Sequence, residues 1–275
     1  MPSIHKYRSL YRKQSEKYTK IAFKRFKAHF KKMGKSIKFD QMTTTNFAEI
    51  VMQAGEKNNL FEVFVQVYFD IGRKHARLVN KQIKDEAKNF DLIGFDSEFV
   101  KRVKRYLRDH GGKTIKTVEE TYLKTVIALL NNAIDEGKTI VEASEDIYLH
   151  INRPDFYEWQ AMRIARTETT TASNYGALQG SNVTGYEMQK IWISGTDSRT
   201  RRSPPDKHDH LDMNKKKVAH DKPFEVSGEK MMFAGDRSQG ATAGNIVNCR
   251  CTVAYKPKRD ADGNLIEKPR QMVRL

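Results

Sequence analysis

Two cysteines in 275 residues, Cys249 and Cys251, are too few and too close together for a disulfide framework, and that usage suits a reducing compartment. No run approaches the ~20 consecutive apolar residues that cross a bilayer. The opening MPSIHKYRSLYRKQ has basic residues with no apolar stretch behind them, so neither a membrane anchor nor a secretory leader is expected. Proline is nearly missing from the first two thirds: between residue 4 and about residue 180 it occurs only at Pro154, which leaves long helices uninterrupted. Acids are scarce at the amino-terminal end, where residues 1–38 hold thirteen Lys or Arg against Glu16 alone. The whole chain has 50 Lys and Arg against 34 Asp and Glu, a formal net charge of +16. Such an excess favours nucleic acid, acidic membrane surfaces or acidic proteins as partners.

What is present in the first two thirds is helical periodicity. Tyr7, Tyr11, Tyr18, Ala22, Phe26, Phe30 and Met33 fall three, four or seven apart, one stripe on a helix of about 28 residues and about 42 Å. Its other faces carry lysine and arginine, either as a solvated surface or as an electrostatic contact with phosphates. Thr44-Thr45-Asn46 offers caps for a short helix over 47–55. Residues 58–83 predict a longer helix with Phe61, Phe64, Tyr68, Ile71, His75, Leu78 and Val79 inward, His75 as a core or boundary histidine. A basic helix, SEFVKRVKRYLRDH, is expected to stop at Gly111-Gly112. Helices over about 117–136 and 139–150 follow, and another opens at Pro154, where proline is tolerated in the first turn.

Beyond Gly180 apolar runs shorten. YEMQKIWIS (186–194), FEVSG (224–228), MMFAG (231–235) and CTVAYK (251–256) read as strands. The expected fold is a mainly α amino-terminal region with a small α+β carboxy-terminal domain of short antiparallel strands and long loops. The linear division is 1–152 for a helical docking domain, 153–256 for the small domain and 257–275 for a basic arm with little core of its own.

Four stretches in order carry a resemblance: ARTETTTASNYG (165–176), KIWISGTDSRTRRSPPDKHDHLD (190–212), DKPFEVSGEKMMFAGD (221–236) and NCRC (248–251). They resemble the phage Mu F-like minor head, or head morphogenesis, proteins over roughly the carboxy-terminal third. Here Met213 follows Leu211-Asp212 where glycine is usual, and Ala234 precedes Gly235-Asp236 where proline is usual. The resemblance implies a structural minor protein of the capsid interior, assembled in the host cytoplasm and present in several copies around the portal. Its implied partners are the portal protein, the major capsid or scaffolding protein, and packaged double-stranded DNA, which some such proteins accompany on ejection.

The candidate sites follow from residue types. Cys249 and Cys251 lie two apart, and on an extended strand both thiols face one side. Plain packing is the first reading. A structural zinc is the second, with Cys249, Cys251, His208 and His210 as its set and His220 as a further donor. Asp197, Asp206, Asp209 and Asp212 with the two loop histidines could instead furnish a metal-dependent nuclease, the alternative to a non-enzymatic protein. No residue is assigned a catalytic role, because no familiar metallohydrolase spacing is present. Arg166, Glu168, Asn174 and Asp197 are read as polar side chains that tie a helix to the strand loops. Lys13, Lys17, Lys20, Lys24, Arg25, Lys27, Lys31, Arg201 and Arg202 are the candidate phosphate contacts, and Arg199 and Lys215 to Lys217 add to the charge. Such contacts hold DNA without reading its sequence.

Overall fold

The computed structural model describes residues 3–56, 58–84, 95–151 and 153–268. Seven helices come first: α1 (Ile4–Lys35), α2 (Phe47–Glu56), α3 (Leu60–Lys84), α4 (Phe95–Tyr106), α5 (Gly112–Asp135), α6 (Ile140–Ile151) and α7 (Pro154–Asn182). Then follow β1 (Met188–Ile193), β2 (Lys217–Ala219), β3 (Phe224–Val226), β4 (Glu229–Met231), α8 (Ala243–Ile246) and β5 (Thr252–Pro257). The fold class is the expected one: helices dominate the amino-terminal half, and the strands are short, antiparallel and confined to the other end. Two compact units form from interleaved segments. One comprises Met1–Tyr18, Val67–Val103 and Thr167–Leu275, the other Thr19–Gln66 and Lys104–Arg166.

The whole α1 stripe is buried, from Tyr7 to Met33, because one face of a 3.6-residue helix is what the unbroken apolar spacing produces. In the first unit Tyr7 and Tyr11 join Ile191, Ile193 and Ala254 in one apolar cluster. The Tyr7 hydroxyl donates to the Val253 carbonyl (3.3 Å), and Arg8 donates to the Ser194 carbonyl (2.9 Å) and Asn214 Oδ1 (3.1 Å). The sheet has the order β2-β1-β5, with Ile191 opposite Lys217 on one side and Ala254 on the other. The opposite face is covered too. Trp192 meets Phe224 edge-on at 5.2 Å, and fully buried Lys190 lies over the same ring and donates to the Met232 carbonyl (2.9 Å). Burial lowers the Lys190 ammonium to about 8.

Within this unit α3 and α7 touch backbone to backbone. A Cβ on Gly176 would lie 2.1 Å from the Gly72 carbonyl oxygen, and one on Gly180 would lie 2.9 Å from that of Ala76. Small residues spaced four apart on both helices permit the approach. Along α3, Phe64, Tyr68, Ile71, His75 and Val79 are buried as expected, while Phe61 and Leu78 are half-buried.

In the second unit Phe26 packs edge-on to Phe64 (5.1 Å), and Phe30 stacks on Tyr122 (5.1 Å). Val126 and Leu130 of α5 and Ile147 and Ile151 of α6 are buried with them.

The structure corrects several local expectations. Gly111-Gly112 does not stop a helix: a π-helical segment, Leu107–Gly111, leads directly into α5, and both glycines have right-handed helical angles. Two glycines cost about 2 kcal/mol of helix propensity, and burial of Leu107 and Ile115 on either side offsets it. β4 begins at Glu229, before MMFAG, because Ser227 and Gly228 (φ 50° and 80°) form a two-residue turn of the kind that joins tight hairpins. Strand β2 had no counterpart among the expected strands. β5 starts at Thr252, just after the cysteines. The described part of the arm folds back on itself, with Arg259 bridged to Leu265 and Glu267 to Tyr186; residues 269–275 lie outside the described residues.

Candidate functional site

α7 carries an unusual run of buried polar residues, Thr167 to Thr171 with Ser173 and Asn174. Buried polar groups generally need partners, and the loops around the sheet supply several of them, although the Thr169 hydroxyl has none among the described residues. Asn174 Oδ1 accepts from the Val253 amide (2.9 Å) and the Thr252 hydroxyl (3.0 Å), while its Nδ2 donates to the Cys251 carbonyl (3.2 Å). Thr170 donates to the Cys249 carbonyl (2.5 Å), Thr171 to the Gly235 carbonyl (3.0 Å), and the Asn248 amide donates to the Thr167 hydroxyl (3.1 Å).

Glu168 is the charged member of this run. Arg237 grips it with two nitrogens (2.5 and 3.2 Å), and the Tyr68 hydroxyl donates to it (2.8 Å). Both charged side chains are almost wholly buried, at 2% and 8% exposure for Glu168 and Arg237. Burial, then the adjacent carboxylate, pushes the Tyr68 hydroxyl well above the usual phenol range. Asp197 forms the second clamp, a two-nitrogen contact with Arg250 (2.8 and 2.5 Å). Burial opposes its charge, but Arg250 and nearby donors win and hold the carboxyl below its usual range. Arg166 is exposed. The arginines that complete both clamps, 69 and 53 residues from their acids, were missed. Their places in FAGDR and NCRC, inside otherwise apolar stretches, were the only hint.

Beside these clamps His210, Cys249 and Cys251 converge, their ligand-type atoms all within 4.8 Å of one another and all three residues buried. Nδ1 of His210 is 3.5 Å from the Cys249 sulfur and 3.6 Å from that of Cys251. His210 Nε2 lies 2.9 Å from Asn245 Oδ1. Trp192 meets the imidazole edge-on at 5.9 Å. Cys249 is drawn well below the usual thiol range, first by the bond from Cys251 and then by His210, and Cys251 is raised correspondingly. For His210, burial favours the neutral ring, but Cys249 outweighs it and raises the pKa. His208 is not part of this group: its Nδ1 faces Asp206 at 3.3 Å. His220 stands elsewhere, bonded to Ser181 (2.8 Å).

The acids of the long loop are occupied locally. Asp206 accepts from the His208 amide (2.9 Å), Asp209 from the Ser203 and Asp212 amides (3.0 and 2.9 Å), and Asp212 meets Lys216 (2.5 Å). Among the described residues the His210–Cys249–Cys251 group is the one metal-type cluster. The basic candidates divide. Lys13, Lys17, Lys20, Lys24 and Lys31 are exposed on α1, with no ion pair among the described residues. Lys27 pairs with Glu158, and Arg25 is half-buried. Arg201 turns inward to the Val247 carbonyl and Asp206, whereas Arg202 is exposed.

No helix among the described residues is long and apolar enough to cross a membrane. No curated protein and no solved structure matches the chain. A family does. The sequence pattern described as Phage Mu protein F like protein matches residues 124–254, a span that takes in α7, β1 to β4, the first half of β5, both arginine clamps and the cysteine pair. Over residues 124–254 the chain is therefore similar to the Phage Mu protein F like family.

Proposed function

We propose that this chain is a structural minor head protein inside the capsid at the portal vertex, where its cationic surface lies against packaged DNA. The family supports a head-related role. The observation that carries the DNA contact is the exposed lysine row of α1. Lys13, Lys17, Lys20, Lys24 and Lys31 are spaced four, three, four and seven apart, so they share one helical face over about 27 Å. That face spans about eight base pairs at ~3.4 Å each. Lysines in such a row repel one another unless a polyanion neutralises them. Point charges on flexible stems contact phosphates without reading bases. The helical part supplies the surface for the portal or inner shell, and several copies ring the vertex.

The test has two arms. Binding to short duplexes of unrelated sequence should be equal within a few-fold and should weaken steeply with salt. Co-expressed portal should retain the chain at salt high enough to abolish DNA binding. Loss of portal binding with DNA binding intact would leave a general nucleic-acid-binding protein. Cleavage of plasmid in Mg²⁺, Mn²⁺ or Zn²⁺ that vanishes in His208→Ala would replace the structural reading with a nuclease.

A further inference from the structure

We infer that His210, Cys249 and Cys251 form a buried binding site for one zinc ion, with His210 coordinating through Nδ1. A tetrahedral zinc with Zn–S near ~2.3 Å and Zn–N near ~2.0 Å has an N···S edge of about 3.5 Å. The two separations are 3.5 and 3.6 Å. A single imidazole lone pair accepts one S–H well, so the equal approach of two sulfurs is better matched by an ion at their centre.

A second observation concerns the far side of the ring. Asn245 Nδ2 donates to Glu229 (2.7 Å) and to the Val226 carbonyl (3.3 Å). That leaves its Oδ1 facing His210 Nε2 at 2.9 Å. An acceptor there places the ring proton on Nε2 and leaves the Nδ1 lone pair directed at the sulfurs. This is the arrangement by which a partner beyond the ligand shell orients a metal-binding histidine. Trp192 against the ring edge and the bond from Ser194 to the His210 carbonyl hold the residue from other sides.

Charge selects the ion. Two thiolates and a neutral imidazole carry two negative charges in a site where all three residues are at most 2% exposed. A dication makes the assembly neutral, whereas a monovalent soft metal leaves a buried net charge. The chain supplies three ligands, so a neutral water completes the fourth position. His208, Asp206 and Asp209 take no part.

The site does not depend on the head assignment, and its test reads metal alone. Full-length protein is purified under reductant without chelator, and its zinc is measured before and after reconstitution with excess Zn²⁺. Near one zinc per chain is expected for the wild type and for His208→Ala, and near none for Cys251→Ser. Because Cys251→Ser could fail to fold, Co²⁺ is also loaded into the wild type. Thiolate-to-cobalt charge transfer with tetrahedral d–d bands is expected. Less than about 0.2 zinc per chain after reconstitution overturns the site. So does zinc retained by a folded Cys251→Ser, or a cobalt spectrum lacking the thiolate band.

Discussion

His75 gives the sharpest test of how the first unit is packed. The ring is buried between Tyr11 and Tyr18, edge-on at 5.5 and 5.8 Å, and neither nitrogen has a hydrogen-bond partner. An imidazolium there would have no acceptor for its second proton, and burial accordingly lowers its pKa from 6.5 to about 4. The unfolded chain takes up that proton near pH 6.5 and the folded chain does not. Stability from this residue is therefore complete above pH 6.5 and is lost as pH falls toward 4. Between pH 7.5 and 5.5 the loss from His75 alone is on the order of 1 kcal/mol. That is a drop of about 2–4 °C in melting temperature for a chain of this size. His75→Phe keeps an aromatic ring, somewhat larger, and removes the titrating group. Thermal melts of both proteins at pH 7.5 and 5.5 give the two pH losses, and uniform offsets cancel within each protein. The variant should lose about 1 kcal/mol less than the wild type over that range. Equal pH losses in the two proteins would refute the reasoning, whatever the absolute stabilities. His29 and His220, also lowered to about 4 by burial, retain part of the acid sensitivity in both.

Four further outcomes are expected. Gly176→Ala drives a methyl to 2.1 Å from the Gly72 carbonyl oxygen, so it should cost about 3 kcal/mol or prevent folding. Gly112→Ala, with nothing within 4 Å and helical angles, should stabilise by about 0.5–1 kcal/mol as read by denaturant titration. Glu168→Gln leaves the Arg237 charge buried without its counterion and should lower stability by about 3 kcal/mol. The double variant Glu168→Leu, Arg237→Met should regain most of that loss, and a double-mutant cycle without coupling would deny the pair. Replacing Lys13, Lys17, Lys20, Lys24 and Lys31 by Gln should reduce the slope of log K for DNA against log salt by about 4–5. An unchanged slope would remove α1 from the interface.

Where the chain was legible, one face of an element decided the pattern. The α1 stripe could be read residue by residue because a two-faced helix writes its period into the sequence. β1 shows the limit: Lys190 made MQKIWI look half-exposed, yet both faces are covered, and the ammonium is absorbed by Phe224 and the Met232 carbonyl. β2 is too short and too exposed for alternation to mark it. Gly111-Gly112 misled because a stop signal acts only where packing does not carry the helix onward. At the site, the pairing of Cys249 with Cys251 was visible from spacing alone. Which histidine joins them was not, since His208 and His210 differ only in how a long loop turns.

The NCRC motif shows how residues with separate tasks become one signal. Asn248 has a left-handed φ of 56°, a conformation Asn tolerates better than most residues, and it turns the chain out of α8. Cys249 follows, with its carbonyl held by Thr170 and its sulfur facing His210. Arg250 points the other way and locks Asp197, fixing the start of the loop that carries His210. Cys251 returns to the first side, and its carbonyl is held by Asn174. Alternation along an extended chain separates the sulfurs from the guanidinium. The Arg250–Asp197 clamp anchors the start of that loop, while Asn245 and Ser194 hold His210 itself. Loosening the clamp should therefore disturb the cysteine–histidine group before it disturbs the sheet.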